Sequence, residues 1–249
     1  MNPSGTRRAE WPSPIDLCVV DLSHPIATDM PQWPGDRQPL RVVRLSDHGD
    51  ATCRSSRLEL GCHVGTHVDA PGHFLADAPG VDELPPERFC GSAAVIRPPR
   101  GPAGHADCGP LGAELLDGVD LADVDFVLFD TGWSRHWGQT AYYAQWPWLS
   151  GPLAERLAAA GLKGVGVDTP SIDDLSGRSA HDLFAAAGMV NLENLANLAD
   201  LPAGGFLVLA LPLPLVGAEA SPVRAVALLD RRNTPMSGRS GAGGDVQVP

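Results

Sequence analysis

Apolar positions along this chain mostly alternate or fall in short unbroken runs, the two patterns of extended backbone. Ile15 to Leu22 (IDLCVVDL), Leu40 to Leu45 (LRVVRL) and Cys53 to Leu60 (CRSSRLEL) are bounded by Pro, Gly or Asp and predict strands. Further apolar runs at Ala93 to Ile96, Phe126 to Phe129, Val165 to Val167, Phe206 to Leu211 and Val223 to Leu229 predict more of them. One segment departs from this pattern. Between Gly151 and Gly161, PLAERLAAA places Pro in a first turn, follows it with good helix formers and ends on Gly, which predicts a helix. It leads directly into the strand at Val165, half of a βαβ unit, whereas the first sixty residues read as consecutive antiparallel strands. The expectation is one mixed α/β domain over residues 15–230. Residues 1–14 and 231–249 are polar and rich in Gly, Pro and Ser, and are expected to be disordered ends.

Composition narrows the function classes. The 249 residues are 43% hydrophobic and carry a formal charge of −12, so a nucleic acid would meet net repulsion. No run of about eighteen apolar residues occurs to span a membrane, and the N-terminus lacks the apolar stretch of a secretory signal. Five cysteines without a C-x-x-C pair fit reduced thiols, and a cytoplasmic location is expected. The stretch Trp133 to Ser150 holds four of the six tryptophans and both tyrosines. It reads equally as a packed insertion or as the wall of an apolar pocket.

Histidines cluster where chemistry is expected. Residues 62–74 read CHVGTHVDAPGHF, with His63, His67, Asp69 and His73 inside eleven positions. If the preceding strand continues, His63, Gly65, His67 and Asp69 point to one side. Two imidazoles and a carboxylate converging there form a ligand set for zinc or a related ion, with a coordination position left for water. Gly65 would leave room for the ion, Pro71 would turn the chain so that His73 folds back, and Cys62 would face the opposite side as a packing residue. Farther on, Glu193 sits in the apolar run MVNLENL, where a carboxylate is costly unless paired or metal-bound. His181 opens a short Ala-rich helix.

The pattern H-x-G-T-H-x-D-A-P-x-H-F resembles that of the cyclase family of metal-dependent hydrolases, which includes bacterial kynurenine formamidases and isatin hydrolases. The resemblance runs from about Val20 to Leu229 and takes in SHPIATDMPQWPGD, DTPSIDD, AH, LENL and LPLPLVGAEASPVRAVAL. It implies a partly barrel-like mixed sheet with flanking helices, of the swivelling β/β/α type. It further implies that His63, His67 and Asp69 hold one divalent ion, zinc or manganese. Asp69 would bridge to a second ion held by His181 and Glu193, His73 would serve as acid/base, and Trp33 would contact an aromatic substrate. A homodimer or higher homo-oligomer is also implied.

The resemblance thus implies hydrolysis of an amide or lactam of a small aromatic substrate by water activated on the metal, with His73 carrying the proton to the departing nitrogen. No G-x-S-x-G elbow points to a serine nucleophile, and Thr66 is expected to hydrogen-bond a neighbouring ligand. The same site would also serve a cyclase or dehydratase of a secondary-metabolite pathway. A noncatalytic binding protein is the third reading, set against the full set of ligand-type residues.

Overall fold

The computed structural model describes residues 17–30, 32–35, 40–49 and 51–230; the expected disordered ends lie outside them. Thirteen strands and two α-helices follow in order: β1 (Leu17–Asp21), β2 (Arg41–Ser46), β3 (Ser55–Glu59), β4 (His67–Asp69), β5 (Cys90–Ile96), β6 (Gly109–Leu111), β7 (Phe126–Phe129), β8 (Pro147–Leu149), α1 (Gly151–Ala159), β9 (Gly164–Val167), α2 (Ser179–Ala186), β10 (Val190–Glu193), β11 (Phe206–Leu209), β12 (Ala220–Pro222) and β13 (Val226–Asp230). Nine of these form one sheet in the order β1-β13-β11-β5-β7-β9-β10-β4-β12. Its centre, β5 to β10, is parallel and its flanks are antiparallel.

The run FVLF of β7 shows why the centre is apolar at every position. Phe126 and Leu128 face a core inside the curl of the sheet, where Leu22, Val68 and Leu192 also pack. Val127 and Phe129 face a second core beneath α1 and α2, with Leu153, Leu157 and Phe184. All four residues are fully buried, as a parallel strand covered on both faces requires. Next to it, Gly166 of β9 has no room for a side chain, because a Cβ there would lie 2.6 Å from Leu128 Cδ2. An isolated bridge between Ser23 and Leu195 joins the end of β1 to the chain beyond β10, so the sheet closes partly on itself as a half-barrel. The α/β expectation and the partly barrel-like sheet both hold.

The helix α1 begins where its signals place it: Ser150 caps it by accepting from Leu153 N at 3.4 Å, and Pro152 lies in the first turn. Three expectations need correction. The first sixty residues are not one antiparallel run, since β1 pairs with β13 from the other end of the domain while β2 and β3 form a separate hairpin. All five residues of β3 are exposed, so its alternation marks no buried face. The predicted strand Val223 to Leu229 starts late: β13 begins only at Val226, and residues 223–225 precede it with just an isolated bridge from Val223 to Pro212.

Candidate active site

The chain leaves β3 at Glu59 and turns through residues 62–66 before β4 begins at His67. His63 therefore lies in a turn, and the expected alternation from His63 to Asp69 along one extended strand does not occur. Gly65 is the reason: it takes a left-handed backbone with φ of +66°, where a side-chain-bearing residue would be strained. Its role is conformational, and the expectation that it makes room for an ion is replaced by this one. Convergence is reached all the same, with the His63 and His67 rings 5.2 Å apart.

Strand pairing supplies the rest. His67 and Asp69 are two residues apart on β4 and share a face, and Glu193 of β10 sits directly opposite His67. His67 Nε2 lies 3.4 Å from Asp69 Oδ1 and 3.5 Å from Glu193 Oε2. From α2, His181 Nε2 lies 3.3 Å from Glu193 Oε1 and 3.8 Å from Asp69 Oδ2. His63 Nδ1 reaches Asp69 Oδ1 at 2.9 Å. Pro71 starts a short 3-10 turn ending at His73, whose ring comes within 4.2 Å of the His63 ring. These six residues and Trp33 line one cavity of about 310 Å³, joined by Phe74 and Tyr143. All seven residues singled out from the sequence are thus brought together.

Several groups that hold these side chains had no assigned role. Asp173 accepts from His181 Nδ1 at 2.7 Å and also caps α2 by accepting from Ala180 N and His181 N, both at 3.0 Å. Glu219 faces His63 Nε2 at 3.1 Å. Ile172 N donates to Glu193 Oε1 at 3.0 Å. Thr66, expected to support a ligand side chain, instead donates to the Asn194 carbonyl at 2.6 Å and accepts from His24 N at 3.0 Å. It fastens the turn to the segment after β10. The aromatic stretch does both things left open for it: Trp133, Tyr142 and Trp146 form a buried cluster, and Tyr143 lines the cavity.

The electrostatics are those of a buried anionic pocket. Burial alone would depress the His63 and His181 pKa values, but Asp69 beside the first, and Asp173 and Glu193 beside the second, raise them to about 9 and about 10. Burial raises the Asp69 pKa, but His67 and His63 outweigh it and keep the carboxyl ionised, below its usual range. His73 goes the other way: burial holds its imidazole below its ordinary value.

A family model described as "Putative cyclase" matches residues 20–174. The chain belongs to the cyclase family. Kynurenine formamidase from Salinibacter ruber (strain DSM 13855 / M31) is 32% identical over 217 residues, which cover 84% of this cyclase-family chain and 97% of that protein. Kynurenine formamidase from Bordetella petrii (strain ATCC BAA-461 / DSM 12804 / CCUG 43448) is 35% identical over 218 residues, covering 83% and 95%. Among solved structures, isatin hydrolase A from Labrenzia aggregata bound to benzyl benzoate has a TM-score of 0.76 at 30% identity, covering 86% of this chain and 94% of that one. A structure described as a potential metal-dependent hydrolase with cyclase activity has a TM-score of 0.71 at 26% identity, covering 86% and 98%.

The pocket fits a divalent cation on its own geometry. His67 Nε2 and Asp69 Oδ2 are buried without a hydrogen-bond partner, and Asp69 Oδ1 is met only by imidazole nitrogens, an expensive arrangement for polar atoms unless an ion meets them. Two sets, His63 with His67 and Asp69, and Asp69 with His181 and Glu193, each bring their donor atoms within 4.8 Å of one another. Tetrahedral ligands about 2.1 Å from an ion stand roughly 3.4 Å apart. The 3.3–3.8 Å separations of His67, His181 and their carboxylates match that spacing.

Proposed function

We propose that this chain hydrolyses the C–N bond of a small aromatic amide or lactam, of the N-formylkynurenine or isatin type, with one or two divalent cations. The observation that carries the reading is the meeting of two imidazole–carboxylate sets on the buried carboxylate of Asp69, at the floor of a cavity with aromatic walls. His63, His67 and Asp69 would hold one ion, and Asp69, His181 and Glu193 a second. Zinc and manganese both suit this mix of nitrogen and oxygen donors. A cation held there supplies Lewis acidity, polarising a carbonyl and acidifying water. The names of the relatives in two enzyme groups support the same reaction class: amide hydrolysis in one, lactam hydrolysis in the other.

The protein's own groups do the remaining work. Trp33 and Tyr143 meet edge-to-face at 5.9 Å and, with Phe74, offer flat apolar surface to an aromatic ring. That contact orients the scissile carbonyl toward the carboxylate-rich floor and excludes water from the far side of the ring. His73, neutral because burial disfavours its charged form, accepts the proton of the attacking water and passes it to the departing nitrogen. Asp173 keeps a proton on His181 Nδ1, so that Nε2 offers its lone pair inward. The same reading includes a cytoplasmic location and a homodimer or higher homo-oligomer, two-fold symmetry being the commonest closed assembly. Among the described residues no helix is long and apolar enough to cross a membrane.

The test is a pair of variants. His73→Ala keeps bound metal and loses most turnover of N-formylkynurenine, isatin or a related amide. Asp69→Ala loses both metal and turnover. A His73→Ala enzyme that works at the wild-type rate contradicts the assignment.

A further inference from the structure

Tyr142 and Tyr143 are neighbours in a short 3-10 turn (Thr140–Tyr143) within the aromatic stretch, and they serve different places. Tyr143 lines the cavity. Tyr142 is 0% exposed, and a phenol at that depth needs a hydrogen-bond partner. Burial keeps its hydroxyl protonated, and it donates to Asn194 Oδ1 at 2.8 Å. Asn194 is itself buried and directly follows Glu193, in a left-handed backbone with φ of +56°.

With Oδ1 engaged by the phenol, the amide nitrogen of Asn194 faces the other way and donates to the Gly65 carbonyl at 3.0 Å. The same carbonyl is 2.9 Å from His67 Nδ1. A carbonyl only accepts, so His67 carries its proton on Nδ1 and turns Nε2 toward Asp69 and Glu193. A reversed amide would set Oδ1 against the Gly65 oxygen, two acceptors facing each other. The phenol also lies 3.4 Å from the Asp168 carbonyl, but its shorter bond to Asn194 Oδ1 and the Gly65 oxygen together favour this direction of the amide, and the amide helps to hold the carbonyl that His67 reads.

We propose that Tyr142 is a positioning residue: through Asn194 and the Gly65 carbonyl it fixes the tautomer and aim of His67. The aromatic stretch 133–150 thereby governs cation affinity through one tyrosine and substrate fit through the next. This rests on the metal-hydrolase reading of the same site.

The experiment is a chelator-competition titration of the full chain with Co²⁺, read by its visible absorption, beside steady-state kinetics of the loaded enzyme. Tyr142→Phe weakens Co²⁺ binding by about 10–100-fold, the usual cost of losing a group that supports a ligand. Its kcat falls while KM stays. Tyr143→Ala does the reverse, raising KM and leaving Co²⁺ affinity unchanged. Asn194→Gly tolerates the left-handed backbone and removes both amide contacts, so it matches or exceeds the loss in Tyr142→Phe. The double variant loses no more than Asn194→Gly alone, the signature of two residues acting in one chain. Trp148→Phe, which trims the same aromatic cluster, keeps wild-type affinity. Unchanged Co²⁺ affinity in Tyr142→Phe, or an equal loss in Trp148→Phe, overturns the positioning role. A wild-type protein that takes up no Co²⁺ overturns the metal reading itself, and this role with it.

Discussion

Replacing Asp173 with Asn separates the metal account from a purely structural one. The native carboxylate makes three contacts at 3.0 Å or less: His181 Nδ1, His181 N and Ala180 N. Hydrogen bonds from these donors hold its pKa below the usual carboxylate range even though burial pushes it up, so it is charged when it grips the imidazole. Asp173→Asn removes the charge and leaves one oxygen where two were used, so its amide N–H₂ group must face a donor. As a helix cap, the change costs about 0.5–2 kcal/mol. For a domain of this size that is a fall in Tm of roughly 2–4 °C per kcal/mol. As a metal-supporting group, the loss is about 10–100-fold in affinity, or roughly 1.4–2.8 kcal/mol, confined to the ion that His181 holds. Competitive titration with a chelator, alongside thermal unfolding of the metal-free protein, reads the two effects separately. A lower Tm with both metal affinities unchanged would refute the reasoning, because Asp173 would then be only a cap.

Other predictions concern different residues. His73→Ala retains metal and loses about 10²–10⁴-fold in kcat, the range for removing a general acid/base, measured under saturating metal. Trp33→Ala raises KM for an aromatic substrate and leaves metal content alone; an unchanged KM would remove Trp33 from the substrate wall. Asp168 is wholly buried, and burial and nearby Asp130 lift its pKa to about 6 despite hydrogen bonds from Thr131. A raised carboxyl favours the fold while protonated, so that contribution is full below the unfolded value of about 3.9 and is lost as pH rises through about 6. The stability of Asp168→Asn relative to wild type should therefore improve by up to about 3 kcal/mol between pH 4 and pH 7 in denaturant unfolding. A difference that stays flat with pH counts against this.

The parts of the fold and site that were legible in the sequence are the local ones. CHVGTHVDAPGHF carries its meaning within thirteen residues, and Glu193 stood out because a carboxylate in an apolar strand needs a reason. The helix α1 was announced by Pro152, the helix formers after it and Gly161. What escaped depends on pairings far apart in the chain. β1 finds β13 some two hundred residues away, and no local pattern selects that partner. The turn at Gly65 replaced the expected strand because one left-handed residue overrides an alternating pattern. Asp173, Asn194 and Glu219 all lay inside segments noted for their resemblance, but their roles exist only once α2, β10 and β4 are packed together. Asp173 carried no local capping signal, because the N-cap position of α2 is Arg178 and Asp173 reaches the first-turn N–H groups and His181 only through the folded loop between them.

The central claim is that divalent cations at the Asp69 centre drive hydrolysis. It is met most directly by stripping the purified protein of metal, assaying turnover of N-formylkynurenine, isatin and other aromatic amides, and adding Zn²⁺ or Mn²⁺ back. The account predicts that stripping abolishes turnover, that re-addition restores it in step with one or two bound ions per chain, and that Asp69→Ala recovers nothing. Full activity in the metal-free protein would contradict it.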